Sequence, residues 1–294
     1  MAADNTFILD LTTVLGASAV GGFLSSRLRQ PVLLGYLASG LVIGPLGLKL
    51  IEEVDAIRGL AELGVAFLLF SLGLQFSLAE LNRVRNVALQ GSVMQIGITT
   101  AVVALVSMGL GWATSFPQGI FLGAVLSLSS TAVVLKTLTE RSELNTRHGQ
   151  IMLAVLIAQD LALGVMLAVV PSLTSQTGLV SSLGWALVKV VAFLGVAIAA
   201  GYFLVPRLIR TVSRTGSGEL FLLTLISLCL GVALVTAQLG LSIEIGAFVA
   251  GLMIAEIDYA DQALSRLLPL RDTFACLFFT SIGMLIDPQI LIQN

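Results

Sequence analysis

Charge is what this 294-residue sequence has least of. Only 11% of its residues are charged and 57% are hydrophobic, whereas soluble domains carry about 25% charged residues. Most of the chain is therefore solvated by lipid. Acidic and basic residues nearly cancel, 17 against 15, which argues against nucleic acid as a partner. The one histidine, His148, and the lack of any Cys/His cluster argue against zinc or haem. Cys229 and Cys276 each sit in an apolar run, where plain packing is expected rather than a disulfide or a metal site. Asp4 and Asp10 precede or enter the first apolar run, and no basic residue comes before it. That is the wrong pattern for a cleaved signal peptide. No soluble domain, linker or low-complexity tract is visible, and neither a cofactor nor an enzymatic active site is expected.

What is present is a series of about ten apolar spans of membrane length. They fall near 7–26, 31–48, 58–78, 87–112, 118–138, 149–171, 180–205, 219–239, 242–257 and 268–287. Pro31 opens the second span and Gly44-Pro45 closes it; Pro117 opens the fifth and Pro171 ends the sixth. The ninth is short and Gly-rich.

The basic residues are confined to alternate connections. Arg27 and Arg29 follow span one, and Arg83 and Arg85 follow span three. Lys136, Arg141 and Arg147 flank the turn after span five. Arg207, Arg210 and Arg214 follow span seven, and Arg266 and Arg271 follow span nine. The other set of connections holds only Lys49 and Arg58, diluted by Glu52, Glu53 and Asp55, while Lys189 lies within span seven. The positive-inside rule puts the basic set in the cytoplasm and the N-terminus outside. The expectation is a multi-pass integral protein of the plasma membrane, or of a bacterial inner membrane.

An internal repeat is visible as well. PVLLGYLASGLVIGP (31–45) aligns with SIEIGAFVAGLMIAE (242–256), matching Gly35 to Gly246, Gly40 to Gly251, Leu41 to Leu252 and Ile43 to Ile254. Nearly the same offset carries LFSLG (69–73) onto FTSIG (279–283) and places Glu62 over Asp272. Span two runs outward and span nine inward, so the repeat is inverted, a common plan for secondary transporters. It divides the chain into a first repeat over about 7–171, a linker helix over about 180–205 and a partial second repeat over about 219–294. The partners of spans five and six would lie beyond Asn294. The expected explanation is a fragment lacking about three helices, the alternative a separate chain that supplies the remainder.

The chemistry gathers between Leu126 and Pro171. Ser127, Ser129, Ser130 and Thr131 interrupt span five, and Gln159 and Asp160 lie near the centre of span six. A charge at the bilayer midplane costs roughly 2.5–3.5 kcal/mol on insertion scales, so its default reading is functional. The hydroxyls at 127–131 can satisfy backbone groups freed by a local unwinding; alternatively, they bond back to carbonyls one turn earlier in a continuous helix. Next to a buried carboxylate the unwound form is preferred, because it offers carbonyl oxygens and a negative half-helix end to a cation. Asp160 supplies the only formal charge, for which proton and cation compete. Gln159 points about 100° round the helix from Asp160 and faces either the ion or a neighbouring helix. Glu244 and Lys189 read as interfacial, and Glu62 and Asp272 as helix N-terminal carboxylates.

SLSSTAVVLKTLTER, the AQD triplet at 158–160, GAFVAGLMIAE and LFFTSIGMLID resemble the monovalent cation:proton antiporter-2 family, particularly its Kef-type potassium/proton branch. The resemblance covers essentially the whole chain. It implies an all-α polytopic fold of about thirteen helices, about ten of them present. These would form an inverted-repeat sodium/proton-antiporter-like architecture with crossed broken helices. It also implies a core domain rocking against a dimerisation domain in a homodimer. It makes Asp160 the transport carboxylate that takes the monovalent cation, with Ser129, Ser130 and Thr131 at the unwound crossover and Gln159 beside it. The nucleotide-binding domain common on Kef-type proteins is absent from this sequence, so regulation by nucleotide or glutathione has no support in it; a separate regulatory domain or subunit is a partner the resemblance allows. The expected function is exchange of K⁺ for H⁺ by alternating access. Na⁺/H⁺ exchange, a gated potassium efflux channel and a non-transporting membrane scaffold or sensor are the alternatives.

The charge asymmetry makes a direct prediction. Single cysteines placed in a Cys229→Ser/Cys276→Ser background will be protected from an impermeant thiol reagent on intact cells between Arg141 and Arg147. They will be labelled between Thr174 and Gly178. The reverse pattern overturns the topology.

Overall fold

The computed structural model describes residues 2–51, 55–76, 78–169 and 179–287, and every regular element among them is helical. Pro171, the Thr174–Gly178 segment, Glu52 and Glu53 lie outside the described residues. In chain order the helices are α1 (Ala2–Arg27), α2 (Val32–Ile43), α3 (Asp55–Gln75), α4 (Leu78–Gly109), α5 (Phe116–Ser127) and α6 (Thr131–Glu140). They continue with α7 (Arg147–Val169), α8 (Leu179–Ala199), a π turn (Ala200–Leu204), α9 (Val205–Ser213), α10 (Gly218–Gln238), α11 (Ile243–Ala255) and α12 (Ala260–Met284). Each expected span coincides with one helix or with a broken pair. Among the described residues, seven stretches are long and apolar enough to cross a membrane. The 12 residues of α2 and 13 of α11 reach only roughly 18–20 Å, short of a hydrocarbon core of about 30 Å.

The chain forms two compact units. The first joins Met1–Ser71 to Leu264–Asn294. Its apolar centre is built from Val14, Ile43, Ile51, Ile57, Leu277 and Met284. Helix backbones approach closely here, because small residues leave no Cβ in the way. A Cβ on Gly40 would meet the Thr280 carbonyl and the backbone of Gly283, and one on Gly283 would meet the Leu37 carbonyl. Gly64 lies against the backbone of Phe274, whose ring stands edge-on to Phe67 at 5.7 Å. Hydroxyls add short bonds between the helices: Ser18 Oγ lies 2.7 Å from Thr280 Oγ1, and Ser39 Oγ donates to the Ala17 carbonyl at 2.8 Å. In membranes, where burying apolar side chains between helices gains little, such close contacts and hydrogen bonds do the joining.

The second unit, Leu72–Ala263, holds the site. Its outer surface is apolar: Leu89, Val93, Ile98 and Leu105 on α4 are all more than half exposed. Its helices also meet at glycines, with Gly123 against Thr100, Gly246 against Ala233 and Thr236, and Gly73 against the Phe248 carbonyl and Gly251. The last contact matches one in the first unit position for position. Gly73 touches Phe248 and Gly251 as Gly283 touches Leu37 and Gly40, and the aligned residues are 73 with 283, 37 with 248 and 40 with 251.

Three features depart from the simplest reading of the sequence. Arg83 and Arg85 lie within α4 rather than in a loop, because LNRVRN contains no breaker and arginine is a good helix former. Span seven continues past 205 through the π turn into α9. Pro206 explains the turn. It has no N–H for the residue-202 carbonyl and its ring crowds that group, so the ladder widens and the Val205 N–H reaches back to the Ala200 carbonyl. Glu62 and Asp272 are not N-terminal on their helices: α3 begins at Asp55 and α12 at Ala260, because the polar stretch before each apolar span is itself helical, and Asp272 has a charged neighbour. The 9%-exposed Arg271 donates to Asp272 Oδ1 through Nε and Nη2 at 3.0 and 2.8 Å.

The glycine contacts predict opposite signs for one methyl group. Gly40→Ala and Gly73→Ala each push a Cβ into a backbone carbonyl and should cost about 1–3 kcal/mol. Gly91→Ala on α4, where a Cβ meets open space, should be neutral or stabilising by up to about 1 kcal/mol. Thermal unfolding in detergent measures both, and unchanged stability of Gly40→Ala contradicts the packing described.

Candidate functional site

The site is built where one membrane span comes apart. α5 ends at Ser127 and α6 begins at Thr131, with Leu128 and Ser130 extended between them (ψ 136° and 105°). The sequence LSLSST supplies the means. Ser127 Oγ turns back to the Ala124 carbonyl at 2.7 Å, and Ser130 caps α6 by accepting the Val133 N–H at 3.4 Å. Serine competes for backbone partners in both ways, which is why a run of serines breaks a helix more readily than it continues one.

α7 passes beside the break and presents two adjacent side chains to it from near its own midpoint. Thr131 Oγ1, in the first turn of α6, donates towards the Asp160 carboxylate, 3.2 Å from Oδ2 and 3.4 Å from Oδ1. Thr131 is buried and Asp160 half-buried. The carboxylate thus sits at the positive end of α6, where an anion is stabilised, and no Lys or Arg pairs with it among the described residues. Gln159 is 2% exposed and faces the backbone of the break. Its Oε1 accepts the Ser129 N–H at 3.1 Å, and its Nε2 donates to the Ser127 carbonyl at 3.3 Å.

Of the five residues singled out in the sequence, the structure brings Thr131 to Asp160 and Gln159 to the backbone of Ser129. The Ser129 and Ser130 side chains are exposed, and their contributions here are a backbone N–H and a helix cap. Glu244 occupies the first turn of α11 and Lys189 lies on α8. One participant was missed. Gln95, on α4, accepts from Gln159 Nε2 at 2.7 Å and donates to the Ser127 carbonyl at 2.9 Å and to Thr99 Oγ1 at 3.4 Å. An amide in the middle of the apolar run SVMQIGITTAVV was the available signal, the same one that drew attention to Gln159.

Chemically, this is one carboxylate beside a hydroxyl and the open ends of two half-helices. No group of three or more His, Cys, Asp or Glu side chains that could cage a multivalent metal is found among the described residues. A single titratable oxygen pair flanked by neutral oxygens suits a proton or one monovalent cation.

Comparison with known proteins agrees in fold and family. The chain aligns with Arabidopsis thaliana K(+) efflux antiporter 5 at 40% identity over 293 residues, covering 98% of this chain and 51% of that one. It aligns with the putative cation/proton antiporter YbaL of Escherichia coli K12 at 38% identity, covering 97% and 53%. With the glutathione-regulated potassium-efflux system protein KefC of Klebsiella pneumoniae it shares 33% identity, covering 99% and 47%. The chain therefore spans about half the length of the curated relatives it matches. Among solved structures, the sodium proton antiporter MjNhaP1 of Methanocaldococcus jannaschii superposes with a TM-score of 0.56 at 18% identity, covering all of this chain and 73% of that one. The sequence pattern described as sodium/hydrogen exchanger, transmembrane, matches residues 14–294. This chain belongs to that exchanger family, and its similarity to K(+) efflux antiporters is what the Kef-type resemblance implied.

Proposed function

We propose that this chain is membrane machinery of a secondary antiporter that exchanges K⁺ for H⁺ across a plasma or bacterial inner membrane by alternating access. The observation that carries the reading is Asp160: a carboxylate in mid-helix, held by one neutral hydroxyl and aimed at a broken helix. Such a group binds a proton or a cation, and each excludes the other. Thr131 orients the carboxylate, and Ser129, Ser130 and Gln159 belong to the break that faces the ion. The position-for-position match between the Gly40/Gly283 and Gly251/Gly73 contacts supports two inverted repeats, over about 7–171 and 219–294, joined by the 180–205 helix. The N-terminus faces outside and the active form is a homodimer. Potassium is favoured over sodium on two grounds. The relatives at 33–40% identity include proteins named for potassium efflux. In addition, a single carboxylate among neutral oxygens gives a weaker field than two would, and is less able to offset the larger dehydration cost of Na⁺.

Asp160→Asn keeps size and hydrogen bonding but removes the titratable charge. It should abolish cation-driven proton flux in proteoliposomes of the full-length protein while leaving the fold intact; flux near the wild-type rate would refute the assignment. One carboxylate carrying either H⁺ or K⁺ also moves one charge each way. Exchange should accordingly be electroneutral, with a rate insensitive to an imposed membrane potential, and a net current or a strong preference for Na⁺ would contradict it.

A further inference from the structure

We propose that Gln95 and Gln159 form an amide clasp that holds the α5–α6 break open, and that Gln159 serves exchange by fixing this backbone rather than by touching the cation. The inference rests on the exchange reading above for its functional consequence, but its geometric content stands by itself.

A broken helix leaves carbonyls unpaired at the end of its first half and N–H groups unpaired at the start of its second. In hydrocarbon each such group costs several kcal/mol if left alone. The two glutamines answer one on each side of the gap. The Ser129 N–H can only donate, so the atom facing it must be Gln159 Oε1, at 3.1 Å. That choice turns Gln159 Nε2 towards the Ser127 carbonyl, at 3.3 Å, and Gln95 Oε1, at 2.7 Å. It follows that Gln95 must present its own Nε2 to the Ser127 carbonyl, at 2.9 Å. Every donor then meets an acceptor, and reversing either amide would set like against like. The Ser127 carbonyl takes two donors and Gln159 uses both ends of its amide on protein groups, so Asp160, one residue on, is left to face Thr131. Adjacent residues of α7 thus divide the work: residue 159 secures the backbone and residue 160 carries the exchangeable charge. Gln95 is a positioning residue that acts through Gln159 and through the Ser127 carbonyl. An acid at 159 could still accept the Ser129 N–H but has no N–H to give to Gln95 or to the Ser127 carbonyl, so Gln159→Asp removes that side of the clasp as well as adding charge.

The test compares Gln95→Met, Gln159→Met, the double variant and Asp160→Asn in the full-length protein in nanodiscs. Hydrogen–deuterium exchange of the peptide containing residues 127–131 is the first measurement. Loss of one clasp bond should speed its deuterium uptake by about tenfold, the worth of one buried hydrogen bond, in each glutamine variant. The double variant should be little faster than the faster single, because the two act as one unit. Asp160→Asn should leave that uptake unchanged, and α10 peptides should be unchanged in all four. Gln95→Asn, which keeps the amide but is one methylene too short, should repeat the Gln95→Met result and replaces it if that variant does not fold. In proteoliposomes, the KM for K⁺ should rise several-fold in Gln95→Met as well as in Gln159→Met. Unchanged uptake in the Gln95 variants overturns the clasp. So does a KM that rises for Gln159→Met alone, which would make Gln159 a ligand of the cation. If the wild-type protein exchanges no cation, the transport reading falls, and deuterium uptake alone still decides the clasp.

Discussion

A peptide group inside a bilayer has no water to fall back on, so each N–H and C=O must be answered by protein. Everything distinctive about this molecule follows from one place where that rule is strained, residues 128–130 between α5 and α6. A continuous helix would satisfy the backbone at no cost but would offer a cation nothing. Breaking it exposes oxygens and two opposed partial charges, and the exposed groups must then be matched from outside the helix. Ser127 and Ser130 answer part of the need locally, and amides from α4 and α7 answer the rest. The Asp160 carboxylate is then left to the Thr131 hydroxyl.

The same constraint explains the small residues. Side chains on α4 and α7 reach the break only if the backbones lie close together, and Gly123 lets α5 sit against the backbone of Thr100 on α4. Of the glycines that catch the eye in the sequence as repeat markers, Gly40, Gly73 and Gly283 are points of close helix approach, and Gly251 lies against Gly73. At Gly40, Gly73 and Gly283 the contact leaves no room for a side chain.

The architecture was readable because lipid imposes simple rules: apolar spans, basic residues in alternate connections, and polar groups in mid-span only for a reason. Thr131, Gln159 and Asp160 could be singled out on that last rule alone. Helix limits were less legible where the signal is chemical rather than hydrophobic. Arg83 and Arg85 look like loop residues by charge yet are helical, and the effect of Pro206 appears one turn upstream, as the π turn at Ala200–Leu204. Gln95 was overlooked because a lone uncharged amide in an apolar run has no sequence partner. Its meaning lies in contacts 32 and 64 residues away. Arg271 hides its burial in the same way, since adjacent opposite charges read as surface until the packing is known.

The length of α4 has a mechanical consequence. Its 32 residues span about 48 Å, against a hydrocarbon thickness of about 30 Å, and the overhang carries Arg83 and Arg85 on a rigid rod rather than a slack loop. Lowering that rod into the membrane by one turn, about 5.4 Å, would drag two guanidinium groups towards hydrocarbon, while raising it would pull apolar Leu105 and Val106 into water. The helix that carries Gln95 is thereby gauged against the bilayer from both ends. The lipid would thus act as a spirit level for the break, adding to the contacts that α4 makes with α5 and α7.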